Sequence, residues 1–149
     1  MAQTGTDIKK ATALLLAGEL VAIPTETVYG LAGNALNLSS VTKIFEVKGR
    51  PQFDPLIVHV PDYASADLYA INIPEEAKLL AKHFWPGPLT LLLPKKNIIP
   101  DLVTSGLDSV GLRCPRHSLT NQLLRALPFP VAAPSANPFG YVSPTRPEH

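Results

Sequence analysis

The stretch Leu20-Val21-Ala22-Ile23-Pro24-Thr25-Glu26-Thr27-Val28-Tyr29-Gly30-Leu31 decides how the chain is read. Four apolar residues closed by a proline predict a short buried strand, Leu20 to Ile23. Two threonines, a glutamate and a tyrosine then crowd the loop between Pro24 and Gly30. Polar groups at the carboxyl end of a strand are where an open α/β sheet places its ligand crevice. The plainer reading is a strand exit, with Thr and Glu satisfying local backbone groups. On either reading Tyr29-Gly30 is expected to be a turn, and in a site it would shape the pocket floor.

Working outward, strands alternate with helices. Thr6 to Glu19 predicts a helix capped by Thr6, with an apolar stripe of Ile8, Ala11, Leu14 and Leu15. A second helix begins at a Ser39 or Ser40 cap, turns Val41, Ile44, Phe45 and Val47 inward, and ends with Gly49 as the glycine just past its terminus. Leu56 to Val60 is a strand. Asp62 caps a short helix through Leu68, and Pro74 occupies the first position of a helix through Phe84. Trp85-Pro86-Gly87-Pro88 stops that helix. Leu89 to Leu93 and Ser109 to Arg113 are strands, Ser118 to Leu127 a helix, and Val131 to Ala133 a last short strand. From Pro134 to the end the chain reads as loop, with a helix start at Thr145. The alternation predicts one α/β (α+β) sheet domain over residues 1–149, without an internal repeat or linker.

Composition removes several function classes. The formal charge is +1, which leaves no basic footprint for nucleic acid. A single cysteine excludes an internal disulfide, makes a Cys-based zinc site a poor fit and suits a reducing cytoplasm. Met1 to Lys10 lacks an apolar signal core, and no window has the apolar length of a membrane span. The 16 prolines exceed the about seven of average usage and punctuate rather than cluster, which predicts rigid loops suited to a preorganised site.

Candidate site residues fall at element ends. Lys48 and Arg50 flank Gly49. Cations there complement a helix dipole, but the glycine also lets both turn into one space, where they would suit phosphate or carboxylate. His59 stands between Val58 and Val60, on the opposite face of its strand. A packed residue is the commoner fate of such a histidine, and a ligand contact is the sharper one. Arg113 ends its strand as a candidate bidentate carboxylate clamp. Cys114, beside Pro115, reads as a small buried residue. Ser135 and Asn137, with Ser143 and Thr145, lie on proline-braced loops whose donors suit phosphate oxygens. Neither GxxxxGK[ST] nor GxGxxG occurs, and the four histidines lack ligand spacing.

These pieces recur in order as Pro24–Leu31 (PTETVYGL), Lys48–Pro51 (KGRP) with Asp54-Pro55-Leu56, Trp85–Thr90 (WPGPLT), Ser109–Pro115 (SVGLRCP), Ala133–Asn137 (APSAN), and Gly140 with Ser143–Thr145 (SPT). On them the chain resembles the YrdC/Sua5 family of threonylcarbamoyl-adenylate synthases, from about residue 10 to the end. The resemblance implies an open, twisted, mixed sheet flanked by helices, the YrdC/Sua5-like (DHBP synthase-like) fold. It implies a nucleotidyltransferase that makes threonylcarbamoyl-AMP and pyrophosphate from L-threonine, bicarbonate and ATP. The product would pass to the machinery that installs t6A on tRNA in the cytoplasm.

By motif position, Thr27, His59, Arg113 and the backbone near Ala133 would hold L-threonine. Lys48, Arg50, Asp54, Ser109, Ser135, Asn137 and Ser143 would line the ATP side, with Lys48 and Arg50 catalytic. Mg²⁺ would ride on the ATP phosphates, without a protein-only metal site. Asp54 stands where many relatives have asparagine, and needs a cation, Mg²⁺ or a ribose beside it. Relatives continue past SPT with a strand, a glycine-rich segment and a GxxSTV-like motif, so the chain is expected to lack a C-terminal part of the domain. The family also suggests two alternatives: a double-stranded RNA-binding module, and a carbamoyl-adenylating domain of the HypF type.

Overall fold

A computed structural model gives the architecture and describes residues 8–27, 29–51 and 54–134. Among these residues six strands form one mixed sheet: β1 (Val21–Pro24), β2 (Tyr29–Asn34), β3 (Ile57–His59), β4 (Thr90–Pro94), β5 (Ser109–Arg113) and β6 (Val131–Ala132). Their spatial order is β1-β2-β6-β3-β5-β4. Only β3 and β5 run parallel; the other neighbours are antiparallel. Four helices accompany them: α1 (Ile8–Leu16), α2 (Leu38–Lys48), α3 (Glu75–Phe84) and α4 (Ser118–Ala126), with a 3₁₀ turn at Ala64–Leu68.

Strand alternation divides the core into two layers. Val58, Leu91, Leu93, Val110 and Leu112 point to one face and pack with Val41, Ile44 and Phe45 of α2 and Ala77 and Ala81 of α3. A smaller cluster joins Ile23, Ala32 and Val131 to Leu15 of α1 and to Leu123, Leu124 and Leu127 around α4. The second layer lies over the β1–β2–β6 half. At the β3–β5–β4 half, Ile57 and Leu92 stay 39% and 73% exposed. By alternation His59 and Arg113 share Ile57's face, so the sheet presents them beside an uncovered surface.

The largest correction concerns the opening stretch. Tyr29 and Gly30 are not a turn: they begin β2, which pairs back on β1 as Pro24↔Tyr29 and Ile23↔Gly30. The glycines of Tyr-Gly-Leu-Ala-Gly-Asn lower strand propensity and hid the element. Gly33 is there for close packing, because a Cβ would come within 2.8 Å of Leu20 and 3.1 Å of Ile44. At α2 the cap is Asn37, whose Oδ1 accepts from Ser40 N at 3.2 Å, rather than Ser39 or Ser40. Ser40 is buried and donates to the Gly18 carbonyl instead. Val47 faces outward, 66% exposed. Pro74 is the cap of α3, one position before its first turn. Asp62 does cap locally, accepting from Ser65 N at 2.9 Å and Ser65 Oγ at 2.8 Å. The Thr6 cap and everything expected beyond Pro134 lie outside the described residues.

Candidate functional site

The parallel pairing of β3 and β5 sets His59 and Arg113 as register partners. Both are buried. Arg113 Nε donates to the Gly87 carbonyl at 3.1 Å, in the turn after α3. Arg113 Nη2 donates to Oε1 of Glu26, an ion pair between residues 87 positions apart. Oε2 of Glu26 accepts from Arg116 N at 2.8 Å. The β1–β2 loop is thereby fastened to the end of β5. Thr120 Oγ1 adds a bond to the Pro24 carbonyl and ties α4 to the same loop.

His59 is neutral at ordinary pH: burial, aided by the Arg113 charge, pushes its pKa down to about 4. Its Nδ1 is buried and has no hydrogen-bond partner among the described residues. Thr27, in the loop beside Glu26, is exposed, and its hydroxyl is 3.0 Å from that of Thr25. Ala133 follows β6, buried, with its N–H on the Ile57 carbonyl at 3.2 Å. Ser109 opens β5 opposite Pro94, on the strand face that Arg113 shares.

The second group forms an elbow after α2. Gly49 takes φ 61°, and its N–H closes the helix on Glu46 and Phe45 carbonyls. That left-handed turn is open to glycine at no steric cost. Lys48, one residue before it, is 4% exposed, and Nζ has no hydrogen-bond partner among the described residues. Burial, with the Arg50 charge second, lowers its pKa to about 8. Arg50 turns away to a local task. Its Nε donates to Asp54 O at 3.3 Å, its Nη2 to Pro55 O at 2.9 Å, and Nη2 lies 3.3 Å from Asp54 Oδ2. Asp54 thus has the cation it needed, and Arg50 braces the loop leading into β3.

Of the residues the sequence put forward, the wall unites His59 and Arg113 and sets Thr27 on the loop that Glu26 anchors; the elbow unites Lys48, Arg50 and Asp54. Ser135, Asn137 and Ser143 lie outside the described residues. Cys114 is buried, its thiol pushed up to about 11 chiefly by burial, as suits an inert packing residue. A cleft of about 410 Å³ beside it, bordered by Tyr63, Trp85, Arg116 and Asn121, contains none of the expected site residues. Sequence reasoning missed Glu26 as a partner. A buried strand-end arginine requires an acid or carbonyls, and the acid in the opening motif was the available signal.

Fold and site together define an α/β sheet domain with an arginine-anchored, internally neutralised wall and a separate buried lysine, an arrangement suited to an amino acid and an anion. The family model for Sua5, YciO and YrdC proteins, described as "Telomere recombination", matches residues 13–149, and the chain belongs to this family. Threonylcarbamoyl-AMP synthases of Pyrococcus abyssi and Bacillus subtilis are 50% and 51% identical to it, each over 95% of this chain. The alignments cover 42% and 41% of those proteins, so the chain spans about two fifths of the length of these relatives. The crystal structure of P. abyssi Sua5 complexed with L-threonine superposes with a TM-score of 0.93, over 95% of this chain and 42% of that one.

Proposed function

We propose that this chain carries the L-threonine and ATP sites of an L-threonylcarbamoyladenylate synthase. The observation that carries the reading is the 50% identity, over 95% of the chain, to the protein solved with L-threonine. The wall of Glu26, His59 and Arg113 supports it chemically. In this reading Arg113 takes the threonine carboxylate through Nη1, which no described residue engages. Nε and one N–H of Nη2 already have partners, so the carboxylate would take the remaining N–H groups at the outer end of the guanidinium. Neutral His59, Thr27 and the backbone at Ala133 orient the hydroxyl and amine.

The chemistry needs no covalent enzyme intermediate. The threonine amine adds to CO₂ derived from bicarbonate and loses a proton, giving a carbamate. A carbamate oxygen attacks the α-phosphorus of ATP, and the bond to pyrophosphate breaks. Two anions must meet, so the protein's contribution is positioning and charge compensation. Lys48 supplies the cation: its buried Nζ, without a hydrogen-bond partner among the described residues, suits a phosphate oxygen. Arg50 and Asp54 shape the approach, and Ser109, Ser135, Asn137 and Ser143 complete the nucleotide side. Mg²⁺ would enter on the ATP phosphates and offset their charge. The product would be handed, in the cytoplasm, to the machinery that modifies tRNA.

The test is formation of threonylcarbamoyl-AMP and pyrophosphate, followed by mass spectrometry with each substrate omitted in turn. The reading expects product only when L-threonine, bicarbonate and ATP are all present. ATP turnover indifferent to L-threonine would overturn it.

A further inference from the structure

Glu26 is a charged residue of the wall that the proposed reaction leaves without a task. Both its oxygens are held, one by Arg113 Nη2 and the other by the Arg116 amide at 2.8 Å. Its side chain is 20% exposed and that of Arg113 is 11% exposed, so their charges offset each other where water screens them only in part. The third titratable member of the wall, His59, is buried and uncharged. A ligand at Arg113 Nη1 therefore meets a wall with no net charge and a fixed carboxylate one guanidinium nitrogen away. A plain carboxylate anion gains little from such a wall and is repelled by Glu26. A zwitterion sets its own cation against that repulsion.

We propose that Glu26 is the specificity-determining and positioning residue of this wall: it holds the Arg113 guanidinium in place and selects zwitterionic α-amino acids over carboxylate anions of the same shape. The inference rests on the threonine-site reading above. It assigns Glu26 no proton transfer. Its selectivity comes partly from repulsion of the wrong ligand, which is how affinity differences are commonly built.

The test is calorimetric titration of the whole chain with L-threonine and with 3-hydroxybutyrate, which keeps the carboxylate and hydroxyl and lacks the amine. The parent chain is expected to favour L-threonine by about tenfold or more. Glu26→Gln, nearly isosteric and uncharged, is expected to narrow that ratio about tenfold, with 3-hydroxybutyrate gaining affinity outright; Glu26→Ala moves the ratio the same way. A purely structural role would weaken both ligands by one factor and leave the ratio unchanged. Selectivity in the parent that persists in Glu26→Gln overturns the inference alone. A parent that binds neither ligand overturns the threonine-site reading and the inference with it. Should the variants fail to show a cooperative thermal transition, the parent's own ratio decides, and equal affinity for the two ligands rejects the proposal.

Discussion

At the β3–β5 wall, a buried arginine is answered by a carboxylate and a carbonyl, and its histidine neighbour is kept uncharged. At the α2 elbow, a lysine just as buried has an ammonium without a hydrogen-bond partner among the described residues, and the Arg50 charge acts against it. The two regions handle a buried cation in opposite ways. The wall is internally balanced, so a ligand there is chosen by shape and by matching a neutral field. The elbow carries an electrostatic cost in the folded protein that an anion would relieve. Selectivity and stability are joined at the wall, whereas at the elbow binding strength is set against stability.

Breaking the wall should have the largest effect. Arg113→Ala leaves Glu26 a partly buried, unpaired carboxylate and should cost about 3–5 kcal/mol, a fall of roughly 10 °C in Tm. Replacing both partners, as in Glu26→Gln with Arg113→Ala, should cost clearly less than the sum of the two single changes. Additive costs in that cycle would show that the pair is not coupled.

His59 gives the wall a pH signature. Its pKa is lowered in the folded state to about 4 from 6.5, so between those values the unfolded chain binds more protons. The contribution to stability is complete above about pH 6.5 and is lost as pH falls through about 4, on the order of 3 kcal/mol in all. Urea titrations across that window should show a shallower slope in His59→Asn than in the parent. Equal slopes would mean that the imidazole is not held neutral.

The elbow should respond with the opposite sign. Lys48→Met removes a poorly solvated cation and should stabilise the chain by roughly 1–2 kcal/mol at pH 7, while abolishing the rise in Tm that inorganic triphosphate gives the parent. For the lysine itself, stability should rise as pH goes from about 8 towards 10.5, since the unfolded chain holds the proton longer. A Lys48→Met variant less stable than the parent would show that Nζ has found a partner. The smallest effect is expected at Gly49→Ala, where φ 61° costs an L-residue about 1 kcal/mol although nothing lies within 4 Å of the new methyl.

Much of this architecture can be read in the sequence where one residue type carries the local physics. Ser109 to Arg113 is a strand with the expected limits, since Asp108 and Cys114-Pro115 bound an alternating stretch that puts Val110 and Leu112 on the core face. Gly49 closes α2 as expected because few other residues accept its φ. Hydroxyl residues misled at the α2 cap, where Asn37 was available two residues earlier and Ser40 is spent on the Gly18 carbonyl. β2 was hidden because its glycines serve close packing, Gly33 against Leu20 and Ile44 and Gly30 against Ala133 and Pro134, rather than propensity. Within the site, motif order brought forward Lys48, His59 and Arg113, but not their partners. The Glu26–Arg113 pair joins residues 87 apart, and no local periodicity encodes such a contact. The same holds for Arg50, whose turn back onto Asp54 and Pro55 depends on the path of a loop.

Titrating L-threonine into the parent, Arg113→Ala and Lys48→Met, with the fold of each checked by its thermal transition, tests most directly whether wall and elbow are separate sites with separate ligands. The predicted result is that Lys48→Met keeps its L-threonine affinity within about twofold, while Arg113→Ala loses it by a hundredfold or so. L-threonine affinity that survives Arg113→Ala, or that falls equally in both variants, would contradict the division.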